Sequence, residues 1–175
     1  MTGSRVVALA LIGLAMWGLK RHYSTAEVED LRWILWPTGR LVAVATGSPF
    51  EFEWGAGFLS RQHLFLIEKS CAGVNFMIAA LGMTGVALAR AGGRGPSLVG
   101  RSVALSYVAA VLVNALRIVL AIWLASANVG SGWWTAARIH RLEGIVVYFG
   151  GLLVLDPVAR RLACVARPRP SGAAS

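Results

Sequence analysis

Negative charge is scarce in this chain: eight Asp and Glu stand against seventeen Lys and Arg in 175 residues, and charged residues of both signs make up only 14%. That is too little to cover an ordinary soluble domain, which carries about 25%. Cysteine is nearly missing. Cys71 and Cys164 are too few for a disulfide framework, and the span assignment below sets them on opposite membrane sides, where they cannot pair. No CxxC or HxxxH spacing occurs, so His22 and His63 lack a zinc-ligand pattern and no metal site is expected. No inverted repeat or pair of broken apolar helices is visible, which removes the usual signature of a transporter.

What is present is apolar: 57% of residues are hydrophobic and mean hydropathy is positive. About 20 apolar residues cross the roughly 30 Å hydrocarbon core as a helix, and the chain holds several such windows. The expected fold is all-α: a polytopic membrane bundle of about four transmembrane helices plus an interfacial or re-entrant helix, forming one domain over residues 1–166. A net charge of +9 and a pI near 11 bring nucleic acid to mind. The basic residues, however, cap apolar runs instead of interleaving with exposed aromatics, so they read as topology signals and no nucleic acid is expected.

The first run, Val6 to Leu19, follows Arg5 and is short enough to raise a cleaved signal peptide. Lys20-Arg21-His22 follows it in place of a small-residue cleavage site, which favours an uncleaved helix with snorkelling basic ends. Residues 23–69 are mixed, with acids at Glu27, Glu29 and Asp30, then Glu51 and Glu53. Within them Leu31 to Thr46, carrying Trp33 and Trp36 and broken by Pro37 and Arg40, suits a helix lying at the interface. Firmer spans run from Cys71 to Arg90, Ser102 to Ala125 and Gly144 to about Leu162, the last meeting Pro157. The Gly-rich stretch from Ala91 to Arg101 reads as a short loop. Ser126 to Arg141 is a connection with an interfacial Trp133-Trp134, and 167–175 a disordered cytoplasmic tail.

Lys and Arg divide equally between the two sides of this arrangement. The 91–101 loop and the tail are purely basic, which puts them and the N-terminus inside. Glu68-Lys69-Ser70-Cys71-Ala72-Gly73-Val74-Asn75-Phe76 then enters a span from the outside. A thiol at a helix N-terminus meets the positive end of the macrodipole and open backbone N–H groups, which favour thiolate. Glu68 lies where it could cap that helix or orient a cation, and Gly73 permits close approach of another backbone or a substrate. Asn114 and Arg117 share a face at i, i+3. From Ser102, Arg117 lies about 22 Å up its helix at 1.5 Å per residue, level with Cys71, and an arginine within a span points to a functional cavity. His140, ahead of the last span, is at the same level. Thiol, imidazole and guanidinium supply a nucleophile, an acid–base group and an oxyanion partner for acyl transfer.

These residues resemble the exosortase and archaeosortase family, multi-spanning cysteine enzymes that process C-terminal sorting signals of the PEP-CTERM type at the outer face of the cytoplasmic membrane. The likeness rests on Glu68 to Phe76, on Asn114-Ala115-Leu116-Arg117-Ile118 and on His140 before an apolar helix, covering roughly residues 30 to 155. It looks closest to the exosortase K branch, whose motif resembles Ser70-Cys71-Ala72-Gly73-Val74-Asn75-Phe76, and Trp36-Pro37-Thr38 is similar too. Two departures are Asn75, where many members carry Arg, and fewer spans than the eight or so of typical bacterial members. The resemblance implies catalytic roles for Cys71, Arg117 and His140, and supporting or substrate-contact roles for Glu68, Gly73, Asn75 and Asn114. It also implies a lipid-embedded enzyme with no cofactor, whose substrates are exported proteins bearing a C-terminal sorting signal. The competing readings are a non-enzymatic assembly partner packing through Gly82, Gly85 and Ala89, and a small transporter subunit using Arg117 for an anion.

Overall fold

Four helices in the computed structural model are long and apolar enough to cross a membrane, which makes this a multi-pass membrane protein. Residues 3–93, 95–127 and 136–165 are described, without the side chains at 136, 137, 140 and 163–165. The elements, in chain order, are α1 (Gly3–Thr25), a 3-10 turn (Glu29–Leu31), α2 (Arg32–Thr46), strands β1 (Glu51–Glu53), β2 (Gly57–Ser60) and β3 (Phe65–Ile67), a second 3-10 turn (Lys69–Cys71), α3 (Val74–Arg90), α4 (Gly95–Ser126) and α5 (Ala136–Val165).

The spans run beyond their apolar cores because a helix continues into polar residues wherever nothing breaks it. The largest difference is at α4, which begins at Gly95 and absorbs most of the expected 91–101 loop. Pro96 favours that early start, since proline fits the first helical turn, where its missing N–H has no acceptor to lose. Similarly, α5 begins at Ala136, inside the expected connection. Trp133, Trp134 and the 167–175 tail lie outside the described residues.

The helices alternate in direction. Gly85 of α3 faces Ile12 of α1, Gly82 faces Met16, and Lys20 at the other end of α1 donates to Asn75 Oδ1 at 3.0 Å. A Cβ on Gly85 would stand 2.8 Å from Ile12 Cδ1, so the glycine is what lets α1 seat closely. The small-residue face expected to serve an assembly partner is therefore largely occupied by α1 of the same chain. One apolar cluster, including Ile12, Leu81, Leu88 and Leu98, packs the Arg90 end; a larger one, including Leu31, Ile34, Val74, Phe76 and Ile118, fills the rest.

At 15 residues α2 is about 22 Å long at 1.5 Å per residue, short of the roughly 30 Å hydrocarbon thickness. It buries Ile34, Leu35, Thr38 and Val42, and Tyr107 of α4 donates to the Trp33 carbonyl at 2.8 Å while stacking on its ring. Residues 51–67, within the stretch read as mixed, form a three-stranded antiparallel sheet in the order β1-β2-β3. Strands of three or four residues leave too short an alternation to stand out in sequence. The sheet ends four residues before Cys71 and delivers the chain to α3.

Candidate active site

Cys71 closes the 3-10 turn Lys69–Cys71, its N–H bonded to the Glu68 carbonyl at 2.9 Å. This corrects the expected placement in the first turn of the span: α3 starts three residues later, at Val74. Gly73 separates the two with φ of +70°, a left-handed conformation that L-residues rarely adopt. The same glycine is needed sterically, because a Cβ there would lie 2.9 Å from Asn114 Cγ. The expected close approach at Gly73 is thus to Asn114 of the same chain.

Asn114 is fully buried and holds the turn in place. Its Nδ2 donates to the Cys71 carbonyl, and its Oδ1 accepts from Tyr148 Oη at 2.8 Å. Tyr148 Oη also accepts from Arg117 Nη1 at 3.3 Å, and the guanidinium lies 5.3 Å from the tyrosine ring centroid. A Cβ on Gly144 would stand 3.0 Å from Arg117 Nε, so α5 is bare where the arginine passes. One polar chain therefore runs from Arg117 through Tyr148 and Asn114 to the Cys71 backbone, joining α4, α5 and the turn before α3. The i, i+3 spacing of Asn114 and Arg117 is what lets both reach one tyrosine.

A cleft of about 280 Å³ opens beside this chain, lined among others by Ser70, Gly73, Asn75, Arg117, Arg141 and Tyr148. Cys71 sits in sequence between two of these lining residues and is itself 7% exposed, with Ser70 Oγ 3.8 Å from its Sγ. Glu68 does not cap a helix; it is exposed, and its Oε1 accepts from Ser70 Oγ at 2.6 Å. Asn75 lines the cleft and accepts from Lys20. Tyr23 also lines the cleft, its hydroxyl donating to the Lys69 carbonyl at 3.3 Å, and Lys69 Nζ donates to the Ala26 carbonyl at 2.6 Å.

The structure thus brings together Cys71, Gly73, Asn114 and Arg117 and leaves Glu68 at the rim. His140 belongs to α5, two turns before Tyr148, and its side chain lies outside the described residues. Tyr148 was missed in sequence. Its signal is a hydroxyl within the apolar run from Ile145 to Leu155, four residues after Gly144. Among the described residues no three His, Cys, Asp or Glu converge as metal ligands. Comparison with protein-family models, with characterised proteins and with solved structures finds no match.

Proposed function

We propose that this chain is a membrane-embedded cysteine peptidase or transpeptidase acting on C-terminal sorting signals of exported proteins at the outer face of the cytoplasmic membrane. The observation that carries the reading is the hydrogen-bonded chain from Arg117 to the Cys71 carbonyl beside a cleft. An arginine and a thiol-bearing turn held by the same two side chains keep a fixed relation, as a nucleophile and an oxyanion partner require. The resemblance in three ordered motifs supports the substrate class.

In this mechanism the Cys71 thiol gives its proton to His140, and the sulfur attacks the scissile carbonyl carbon, forming an S–C bond. Arg117 balances the negative oxygen of the tetrahedral intermediate. The C–N bond then breaks, His140 returns the proton to the leaving amine, and a thioester remains. An amine or a water molecule attacks the thioester next, releasing the thiol. Ser70 and Gly73 line the cleft on either side of the nucleophile. The first-turn amides of α3 lack a carbonyl one turn back within their helix; they belong to Val74, Asn75 and Phe76, all at the cleft.

The test is co-expression with an exported protein whose C-terminus combines a short motif, an apolar helix and a basic tail. Cleavage should occur with the native chain and disappear with Cys71→Ala, Arg117→Ala or His140→Ala. Full cleavage by Cys71→Ala would refute the proposal. Labelling of Cys71 by an externally added thiol reagent distinguishes a reactive thiol from a buried structural one.

A further inference from the structure

At the end of the bundle away from Cys71, α3 and α5 part. They touch closely at Gly151, where a Cβ would stand 3.3 Å from Phe76 Cε2. Further along both helices a cavity of about 590 Å³ lies between them, lined by Gly82, Met83, Val86, Ala87, Arg90 and Ala91 of α3 and its following turn, and by Asp156 and Arg160 of α5. Pro157 lies inside α5 here, its missing N–H leaving the Leu153 carbonyl without that helix bond. The cavity is amphipathic along the helix direction. Apolar and small residues line the part toward the middle of the bundle, and two arginines from different helices converge on its end.

We infer that this cavity is a binding site for one anionic phospholipid, the phosphate held by Arg90 and Arg160 and an acyl chain lying along Met83, Val86 and Ala87. Charge complementarity selects this occupant. Asp156 Oδ2 accepts from Arg160 Nη2 at 2.8 Å, so the carboxylate is neutralised within the cavity and orients the guanidinium at its mouth. Arg90 then leaves the site one positive charge in excess, which suits an anionic headgroup better than a zwitterionic one. A basic pocket between transmembrane helices at the headgroup level is a recurrent form of such sites. The apolar lining excludes a fully soluble anion as the natural ligand, because the groove would remain uncovered. The inference is independent of the proposed peptidase activity.

The experiment is native mass spectrometry of the full-length protein, delipidated in detergent and titrated with phosphatidylglycerol, phosphatidylethanolamine or phosphatidylcholine of identical acyl chains. One phosphatidylglycerol should be retained in preference to the other two. Arg90→Gln with Arg160→Gln should weaken that retention roughly 30-fold, the effect of about 1 kcal/mol per arginine converted at 1.4 kcal/mol per tenfold. Arg90→Gln alone, which leaves the Asp156–Arg160 pair intact, should weaken it about fivefold by the same conversion and serves if the double variant fails to fold. Equal retention of all three lipids, a preference for a zwitterionic lipid, or retention unchanged in Arg90→Gln would overturn the inference, as would displacement of the lipid by millimolar glycerol phosphate. Cys71→Ala should retain the lipid fully, which separates this result from the fate of the peptidase reading.

Discussion

The two ends of the bundle use polar side chains differently. Toward the Arg90 end, Ser102 Oγ donates to the Leu98 carbonyl of its own helix at 2.8 Å, and Thr84 Oγ1 donates to Ala80 at 2.8 Å, with a longer 3.4 Å approach to the Ser102 carbonyl across the interface. Such back-bonding satisfies a hydroxyl locally and asks little of its neighbours. At the Cys71 end, Asn114, Tyr148 and Arg117 bond across helices and onto a backbone carbonyl that no helix claims. Asn114, fully buried at the centre of the second group, is the costly one to disturb, because a partner lost there is not replaced by water. Polar residues that reach between helices to the same cysteine turn set this end apart, and the proposed function rests on it.

That contrast can be broken most directly at Asn114. Asn114→Ala removes the donor to Cys71 and the acceptor for Tyr148, and should lower sorting-signal cleavage at least about a hundredfold, the factor carried by about 2.7 kcal/mol of lost transition-state positioning; cleavage at the native rate would show that the Cys71 carbonyl needs no clamp. Gly73→Ala comes next. It combines a left-handed φ that costs roughly 1–2 kcal/mol for an L-residue with a Cβ pressed on Asn114, and a thermal-unfolding midpoint equal to that of the native chain would contradict it.

Tyr148→Phe is the sharper probe, since it keeps the ring against Phe76, 5.3 Å between centroids, and removes only the hydroxyl. Cleavage should fall about tenfold, corresponding to about 1.4 kcal/mol, with little change in KM. The loss should be much smaller when Asn114 is already alanine; equal losses in both backgrounds would mean that Tyr148 acts apart from Asn114. The smallest effect belongs to the other end. Ser102→Ala should cost about 0.6 kcal/mol of stability, the usual worth of a hydrogen bond between polar groups in a membrane, and leave Cys71 labelling unchanged.

Much of this was legible in sequence because lipid imposes a simple demand: long apolar runs must be helices, and an arginine within one needs a purpose. The runs at 6–19, 71–90, 102–125 and 144–162 each lie in a described helix or its immediate approach. The helix ends were harder to read, because Gly95-Pro96 carries both loop and helix-start signals and only the packed structure chooses between them. The short strands at 51–67 left no usable alternation. Cys71, Asn114 and Arg117 were visible as chemistry-bearing residue types at helical spacing.

By itself, then, the sequence determined the helical membrane class and the residues able to do chemistry, since hydropathy over 20 residues and the scarcity of polar groups in lipid are local properties of the chain. Tertiary structure decided which of those residues meet. The turn that takes Cys71 out of the helix, the glycine that admits Asn114 and the tyrosine of α5 that joins Asn114 to Arg117 all depend on contacts between segments more than 30 residues apart. Such contacts are set by how apolar faces pack, and no local pattern encodes them.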